Sequence, residues 1–511
     1  MPLPIPLSSS YLESLASKYG TPFQIYDEGL IRENCKKLIT SFSSRFPGFK
    51  QYFAVKALPN PAILQILVSE GCGLDCSSVS ELGIAKALGV QGSDCMYTSN
   101  YTSATDLAFA FDYGAIMNLD DVSLVDSLVQ VRGRCPELMS FRLNPGLGRT
   151  DSETKSNVLG GPDAKFGVPP EQIVEAYRRA QANGATRFGI HMMTGSCVLN
   201  ASYWNDTIAC LLNAVSKVRS ELGIEFEFIN IGGGLGIPYK PDQVPVDVES
   251  LAQQLQSCVE SQWAKVLDED IKTNGQSVKA SVLTKSKSRP PPPRLCMENG
   301  RYMTGPFGWL VSRCEAQKKS WGQTYYGLDS CMANLMRPGM YNAYHHISVP
   351  ARGDTTSGKS IVANVVGTLC ENNDWFAKDR ELPQGIKVGD LFVIHDTGAH
   401  SHSMGFQYNG KLRAPELLIR SIRKEDNDKR NVDLIRERET YSCLFDNTIM
   451  PNDLGKTLPK SYPYFTSLRN GGGGGGAGKV ITGHNSFFFA VITAAAIGAL
   501  IFLKVTPQQK I

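Results

Sequence analysis

The feature that most constrains this chain is a regular alternation of apolar, strand-like segments with helix-like segments between Gln51 and Gly300. The first five strand-like segments recur every 21 to 23 residues, about the length of one strand, one helix and two short loops. The eight segments begin near Gln51, Gly73, Cys95, Ile116, Met139, Arg187, Phe226 and Pro293. Eight such units predict an α/β fold with a closed parallel (β/α)8 barrel, whose active site lies at the C-terminal ends of its strands.

Helix-boundary signals between the strand-like segments support this interpretation. Asn60 followed by Pro61 is typical of a helix N-cap with proline at the first helical position, and Gly71 is placed to end that helix. Ser78 and Glu81 have the spacing of a capping box. We therefore expect a helix after each of the first two barrel strands.

The composition and the residue pattern of the sequence change after Gly300. Segments such as FGWLVSRCEAQ, KSIVANVVGTLCE and GDLFVIHD are rich in Val, Ile and Phe and are separated by Gly, Pro and Asp. This pattern predicts a mostly antiparallel C-terminal β domain. The predicted organisation is an N-terminal segment packing with the β domain (1–35), the barrel (36–305) with a disordered insert (272–293), the β domain (306–465), a Gly-rich linker (466–485) and an apolar tail (486–503).

The apolar tail, SFFFAVITAAAIGALIFL, runs from Ser486 to Leu503 without a charge. Its length is at the lower limit for a membrane span, so it predicts a single C-terminal transmembrane helix, with the stretch from Gly471 to Gly478 as a flexible tether. The N-terminus lacks the features of a signal peptide. We therefore expect a membrane-anchored protein whose catalytic part faces the cytoplasm.

Charge and cysteine usage narrow the function further. Lys and Arg number 52 against 49 Asp and Glu, a net charge of +3, which gives no electrostatic support to a nucleic-acid partner. Thirteen scattered Cys fit reduced thiols in a cytosol-like compartment. No metal is expected, because neither CxxC nor HExxH occurs and His numbers only seven.

Lys56 is the first residue with a chemical signal. It lies in YFAVKALPNP, inside a predicted apolar strand. Burial makes an ammonium costly and so favours the neutral amine, which is a nucleophile for Schiff-base chemistry. The alternative is a lysine whose amine extends out of the barrel mouth into water.

Three further motifs each allow a chemical and a structural interpretation. Gly232, Gly233 and Gly234 in IGGGLGIPY permit close approach of backbone N–H groups to a phosphate, but glycine runs also form ordinary turns. Glu298 and Arg301 in MENGRY are placed to contact a heteroaromatic nitrogen and a phosphate, or to pair with each other. Cys370 and Glu371 in GTLCENNDW offer a catalytic acid and a substrate ligand, whereas a lone Cys is more often a core residue.

The order of these motifs resembles one family. A lysine on the first barrel strand, a triple glycine after the seventh, ENGR after the eighth and CE in the β domain are similar to the fold-type III pyridoxal-phosphate decarboxylases. The chain most resembles the diaminopimelate decarboxylases of that family in MENGRYMTGPFGWLV, MRPGMYNAYHHI, GTLCENNDWFAKDRELP and DTGAHSHSMGFQYNGKLRAPELL. The resemblance covers about residues 10 to 465.

The resemblance implies pyridoxal 5'-phosphate as the cofactor. It implies that Lys56 holds the cofactor covalently and that Glu298 pairs with the pyridine nitrogen. It places the cofactor phosphate on the glycine motif with Ser196 and Arg301. The cofactor-binding residues that it implies are Lys56, His191, Ser196, Gly232, Gly233, Gly234, Glu298, Arg301 and His400.

The resemblance also implies how the substrate is held. Arg337 and Tyr341 match positions that bind a distal carboxylate, and Glu371 matches the group that takes a distal ammonium. Cys370 matches the residue that helps protonate the carbanion once carbon dioxide has left. In the family Cys370 and Glu371 belong to the active site of the other subunit, so the resemblance implies a homodimer with shared active sites.

Three positions depart from the family pattern. Met193 stands where the family has the His of HxGS, and His191 lies two residues earlier, on the same face of a strand. His400 in GAHSH replaces a frequent Tyr. Asn299 in ENGR replaces the Pro of the commoner EPGR.

The function implied is decarboxylation of meso-2,6-diaminopimelate to L-lysine and carbon dioxide, a step of lysine biosynthesis. One alternative is decarboxylation of ornithine, arginine or lysine. RPGMY together with CEN, in place of a CDGxD pattern, favours diaminopimelate over these substrates. A second alternative is a non-catalytic regulatory homologue, against which stands the presence of Lys56, Glu298, Arg301 and Cys370.

Overall fold

A computed structural model describes residues 2–146, 159–274, 289–352, 359–420 and 431–445. Eight parallel strands close into a barrel in chain order, with the last pairing with the first. Each begins within a residue of its predicted position, which confirms the barrel. The strands are β2 (Lys50–Ala54), β3 (Gly73–Cys76), β4 (Cys95–Tyr97), β5 (Ile116–Leu119), β6 (Leu138–Leu143), β7 (Arg187–Met192), β8 (Phe226–Asn230) and β9 (Arg294–Met297).

Helices pack around the barrel and bury its outer surface in one large apolar core. They are α2 (Glu28–Ser43), α3 (Pro61–Ser69), α4 (Val79–Ala87), α5 (Ala104–Tyr113), α6 (Ser123–Arg132), α7 (Ile173–Ala182), α8 (Ser202–Leu222) and α9 (Val248–Asn274). The predicted cap at Asn60 is present, because its side chain accepts a hydrogen bond from the N–H of Ala62. Ser78 likewise accepts from the N–H of Glu81. These caps start α3 and α4 at defined residues.

The lower part of the barrel interior is apolar. Tyr52, Met96, Ile116, Phe228 and Cys296 form a buried cluster there. Gly189 on β7 makes room for it, since any side chain at that position would overlap the ring of Phe228. Because this layer excludes water, polar side chains on the same strands gather at the opposite end, where the strands terminate.

A second, nine-stranded sheet lies beside the barrel, and most of its strand pairs are antiparallel, as predicted. Seven of its strands run in the order β14, β13, β11, β10, β1, β16, β17, while β15 pairs with β10 and β12. The strands are β1 (Phe23–Asp27), β10 (Gly308–Ser320), β11 (Gln323–Leu328), β12 (Ile347–Ser348), β13 (Ser360–Val366), β14 (Trp375–Pro383), β15 (Leu391–Ile394), β16 (Glu416–Ile419) and β17 (Val432–Arg436).

Strand β1 comes from the N-terminal part of the chain and lies in the middle of this sheet. It pairs antiparallel with β10 and parallel with β16. Short helices complete the described structure: α1 (Ser9–Tyr19), α10 (Arg301–Thr304), α11 (Arg337–Tyr341) and α12 (Tyr441–Phe445). The sheet therefore combines strands from both ends of the described chain around the barrel sequence.

The predicted fold class needs one correction, which concerns the transmembrane helix. Within the part of the chain that the structure describes, no helix is both long and apolar enough to cross a membrane. The two longest, α8 and α9, have 21 and 27 residues, but charged side chains interrupt both. The predicted tail, 486–503, lies outside the described residues. The prediction of a transmembrane helix as part of this fold is therefore wrong. The predicted membrane association and membrane-anchored localisation depended on that helix and are not supported.

Other predictions also fall on residues that the structure does not describe. The linker at 466–485 lies outside the described residues, and so does most of the insert at 272–293. Helix α9 continues to Asn274. The domain limits stay a prediction.

A buried carboxylate joins the barrel to the sheet. Glu416 on β16 accepts hydrogen bonds from the Tyr26 hydroxyl at 2.6 Å and from the Asn60 amide at 2.8 Å, and it pairs with Arg436. Burial pushes the pKa of Glu416 upward, but His402 and Arg436 outweigh it and hold the pKa below its ordinary value. One ionised side chain thus connects β1, β17 and the first turn of α3.

Glu416→Ala is expected to lower the free energy of unfolding by about 2–4 kcal/mol. It leaves two buried donors, the Tyr26 hydroxyl and the Asn60 amide, without an acceptor beside the partly exposed Arg436 guanidinium. Urea denaturation followed by circular dichroism measures the change. Glu437→Ala, at an exposed position one residue beyond β17, serves as the control and should stay within about 0.5 kcal/mol.

The same carboxylate gives this prediction a pH signature. Since its pKa is lowered in the folded state, its contribution is present above the unfolded value of about 4.3 and is lost as pH falls further. Glu416→Gln should lack that acid-dependent part. Equal acid sensitivity of the native protein and the Gln variant would contradict the assignment.

Candidate active site

A cavity of ≈ 510 Å³ opens at the C-terminal ends of the barrel strands. It is the site at which a (β/α)8 barrel places its chemistry. Most of the predicted site residues line it, and these are Lys56, His191, Ser196, Gly233, Gly234, Glu298, Arg301, Arg337, Tyr341 and His400. Gly232, Cys370 and Glu371 are not among the lining residues.

Lys56 lies just beyond β2, in a single 3-10 turn over Val55–Ala57. Half of its side chain is exposed, and its amine lies 3.9 Å from Asp75. The prediction that Lys56 is buried inside an apolar strand is therefore wrong, because the residue lies beyond the strand and its half-exposed side chain lines the cavity. The turn is fixed from the sheet side, because the carbonyl of Ala57 accepts hydrogen bonds from the His400 N–H at 2.9 Å and from the Ser403 hydroxyl.

Glu298 is buried at the cavity floor, one residue after β9. Its carboxylate contacts the ring Nε2 of His191 at 2.9 Å and accepts from the Asn230 amide at 2.7 Å. Burial alone would raise the pKa of Glu298, but His191, Lys56 and Asn230 hold it below its ordinary value. The site therefore holds a fixed negative charge at its base.

Asp75 on β3 behaves in the opposite way. It is 1 % exposed, and burial together with the nearby charge of Glu298 raises its pKa well above the ordinary value, although Lys56 opposes the shift. One of its carboxyl oxygens has no hydrogen-bond partner. The surroundings therefore shift the two carboxyl groups in opposite directions, lowering the pKa of Glu298 and raising the pKa of Asp75.

The glycine loop packs tightly between the ends of two strands. Gly232 and Gly234 have φ of +69° and +99°, which favour glycine. A side chain on Gly233 would overlap the backbone of Glu298, and one on Gly234 would approach the carbonyl of Gly195. The loop thus brings bare backbone to the cavity wall, which is the geometry that a phosphate requires.

Two guanidinium groups flank one aromatic ring on the side of the cavity. Arg337 lies 4.4 Å from the ring centre of Tyr239, and Arg301 donates to the Tyr239 hydroxyl at 2.7 Å. Arg337 begins helix α11, which ends at Tyr341 on the same wall. This wall carries positive charge that is suited to an anionic group.

Two of the three positions that depart from the family pattern, Met193 and His400, line the cavity, whereas Asn299 is buried and donates to Gln51. His191 is fully buried against Glu298, whereas Met193 lines the cavity and its sulfur accepts from the N–H of Gly233 at 3.2 Å. Burial lowers the pKa of His400 well below its ordinary value, and Arg301 and other cations add to this. The imidazole that His400 supplies is therefore neutral.

Cys370 and Glu371 lie apart from the cavity. They are exposed on the connection between β13 and β14, and the thiol of Cys370 is free. Asp374 anchors this connection by accepting from the N–H groups of Met332 at 2.7 Å and Leu369 at 2.8 Å. The two side chains are thus presented outward on an ordered turn.

Sequence reasoning missed several cavity residues. Asp75, Arg142 and Tyr239 line the cavity, and His345 lies behind Arg337. Asp75 and Arg142 had a usable signal, because each is a charged residue near the end of an apolar barrel strand. Tyr239 and His345 lie outside regular strands and carried no comparable signal.

Comparison with known proteins gives matches that cover most of the chain. A family model described as pyridoxal-dependent decarboxylase, pyridoxal binding domain, matches residues 31–275. Protein TabA of Pseudomonas amygdali pv. tabaci is 40% identical over 444 residues, covering 86% of this chain and 95% of that protein. Diaminopimelate decarboxylase of Methanothermobacter thermautotrophicus is 35% identical over 445 residues, with the same coverage.

Solved structures match as well. A diaminopimelate decarboxylase of M. jannaschii, crystallised in co-complex with L-lysine, superimposes with a TM-score of 0.71 at 28% identity. The match covers 86% of this chain and 95% of that one.

Proposed function

This chain belongs to the fold-type III pyridoxal-phosphate decarboxylase family, and we propose that it decarboxylates meso-2,6-diaminopimelate to L-lysine and carbon dioxide. The observation that carries the substrate is the Arg337 guanidinium, which is buried on the cavity wall and forms no salt bridge with any carboxylate among the described residues. A substrate with a second carboxylate supplies that partner. Relatives named diaminopimelate decarboxylase support the proposal.

The residues present fit pyridoxal phosphate. The half-exposed Lys56 amine reaches into the cavity, the buried Glu298 carboxylate lies at its floor, and the glycine loop leaves bare backbone on its wall. These groups match the aldehyde, pyridine nitrogen and phosphate of the cofactor in chemical type. We propose that Lys56 holds the aldehyde carbon and that Gly233, Gly234 and Ser196 bind the phosphate.

Bound pyridoxal phosphate accepts the electrons that are released when the Cα–carboxylate bond breaks. The chain's part is to set charge and position. Glu298, kept ionised by His191 and Asn230, stabilises a proton on the pyridine nitrogen. His191 is then a positioning residue for Glu298, and Asp75, whose pKa is raised by burial and by the charge of Glu298, lies beside the Lys56 amine.

The substrate is recognised by the side wall of the cavity formed by Arg301, Arg337 and Tyr239, which we call the arginine wall. Arg337 and Tyr341 bind the distal carboxylate, and the Arg337 guanidinium packs over the face of the Tyr239 ring. A substrate that ends in an amine alone leaves Arg337 buried and unpaired, which costs binding energy. This asymmetry favours diaminopimelate over ornithine, arginine and lysine.

We further propose that the active site is completed by a second copy of the chain. The exposed turn that bears Cys370 and Glu371 supports this, because neither side chain lines the cavity of its own chain. Cys370 from the partner would return a proton to the substrate carbon, and Glu371 would take the distal ammonium. The presence of Lys56 and Cys370 in one chain argues against a non-catalytic homologue.

The substrate assignment is tested by carbon dioxide release. Purified protein with pyridoxal phosphate should release carbon dioxide from meso-diaminopimelate at a higher specificity constant than from ornithine, arginine or lysine. Faster turnover of any of the last three would contradict the proposed substrate.

Arg337→Ala is the matched variant for that test. A charge-assisted hydrogen bond contributes about 1.5–3 kcal/mol, so the variant should lose roughly 10- to 150-fold in kcat/KM for diaminopimelate. Unchanged turnover would remove Arg337 from the substrate site.

Lys56→Ala is expected to abolish the covalent link to the cofactor. The native protein should show a visible absorption band and, after borohydride, a fixed cofactor adduct on Lys56. Lys50→Ala, which removes the Lys50–Asp94 surface pair at the other end of β2, is the control and should keep both signals. A borohydride-fixed adduct in the Lys56 variant would refute the assignment.

Subunit mixing tests the shared site. If inactive Lys56→Ala and inactive Cys370→Ala subunits exchange at random, half of the dimers are mixed and each rebuilds one site of two, giving about a quarter of native activity. Mixing Lys56→Ala with Lys56→Arg is the control and should restore nothing. No recovery despite demonstrated exchange would count against a shared site.

A further inference from the structure

Behind the arginine wall lies a histidine that the reaction does not otherwise require. The Nε2 of His345 is 2.6 Å from Nη1 of Arg337, and its Nδ1 is 2.7 Å from the backbone carbonyl of His395. His345 is fully buried. It lies just beyond helix α11, eight residues after Arg337.

These two contacts determine the state of the ring. A carbonyl oxygen only accepts, so Nδ1 must carry the hydrogen. An arginine Nη only donates, so Nε2 must be the bare lone pair that accepts from Arg337. His345 is therefore the neutral tautomer with hydrogen on Nδ1.

The surroundings keep His345 neutral. Its own carbonyl accepts from Arg380 at 2.7 Å, Arg337 lies on its ring nitrogen, and the ring of Tyr239 packs edge-on at 5.1 Å. Burial, with Arg337, Arg301 and Arg380 adding to it, lowers the pKa of His345 well below its ordinary value. A second positive charge at this position is thus strongly disfavoured.

The choice of partner has a consequence for Arg337. Buried arginines are usually held by carboxylates, which fix the side chain but cancel its charge. Here the guanidinium is fixed by a neutral nitrogen on one side and an aromatic face on the other. The buried Asp396 acts on the guanidinium electrostatically, but it forms no salt bridge with it in the described part of the chain. The position of Arg337 is therefore set while its charge still faces the cavity.

We propose that His345 is a positioning residue for substrate specificity, a neutral acceptor that orients Arg337 and leaves its charge free for the distal carboxylate of the substrate. The inference rests on the proposed function, since it assumes that Arg337 faces that carboxylate. A carboxylate in place of His345 would keep the contact with Arg337 but cancel its charge.

The test separates these effects with two variants and two ligands. His345→Gln supplies a neutral acceptor, and His345→Glu supplies a charged one. Decarboxylation leaves the distal carboxylate in L-lysine, whereas 1,5-diaminopentane has the same carbon chain without it. Binding of both ligands to the cofactor-loaded protein is measured by calorimetry, with His346→Glu as a control that adds the same charge one residue away.

The preference for L-lysine over 1,5-diaminopentane should fall roughly 10-fold or more in His345→Glu and stay within about 3-fold of native in His345→Gln and in the control. With meso-diaminopimelate, His345→Glu should raise KM much more than it lowers kcat. Equal loss of preference in the Gln and Glu variants, or no loss in either, would overturn the proposal.

A second measurement does not depend on folding of the Glu variant. Ring ¹⁵N resonances of the histidine-labelled native protein, with His345 assigned from the Gln variant, should show hydrogen on Nδ1 alone at neutral pH. A cationic ring would refute the inference. Failure to decarboxylate diaminopimelate would instead refute the proposed function, because the ligand-preference test does not require turnover.

Discussion

Closure of eight parallel strands is the constraint from which the rest of the structure follows. Once the barrel closes, every strand ends at the same mouth, and residues that are far apart in the chain become neighbours. The apolar layer around Phe228 fills the lower part of the barrel interior. Polar side chains such as Asp75, His191 and Glu298 therefore meet at one rim, where the charge of each affects the others.

The cavity separates its charges. The floor holds one ionised carboxylate, Glu298, while the side wall holds the guanidinium groups of Arg301 and Arg337 around Tyr239. This separation supports the proposal that the basic nitrogen of the cofactor meets Glu298 and the anionic end of the substrate meets Arg337. Neutral His345 and His400 keep this separation intact, because neither adds charge to the wall.

Much of the fold and part of the site could be predicted from the sequence. The barrel follows from local periodicity, and the glycine loop and Glu298 follow from motifs at strand ends. Burial could not be predicted in the same way, which is why Lys56 was wrongly placed inside a strand although a 3-10 turn carries it. The contact of His345 with Arg337 depends on tertiary packing of a loop, for which periodicity has no signal.

The hydrogen bonds from His400 and Ser403 to Ala57 mean that the turn bearing Lys56 is built by both halves of the chain. Glu416 reaches across in the same direction to Asn60, at the start of the next helix. The barrel is therefore not an exchangeable module. Recombination that exchanged the barrel without its sheet would leave the reactive lysine on an unsupported turn. The barrel and the sheet are therefore expected to have been inherited together during evolution. Any division of the gene would have to preserve the contacts between them.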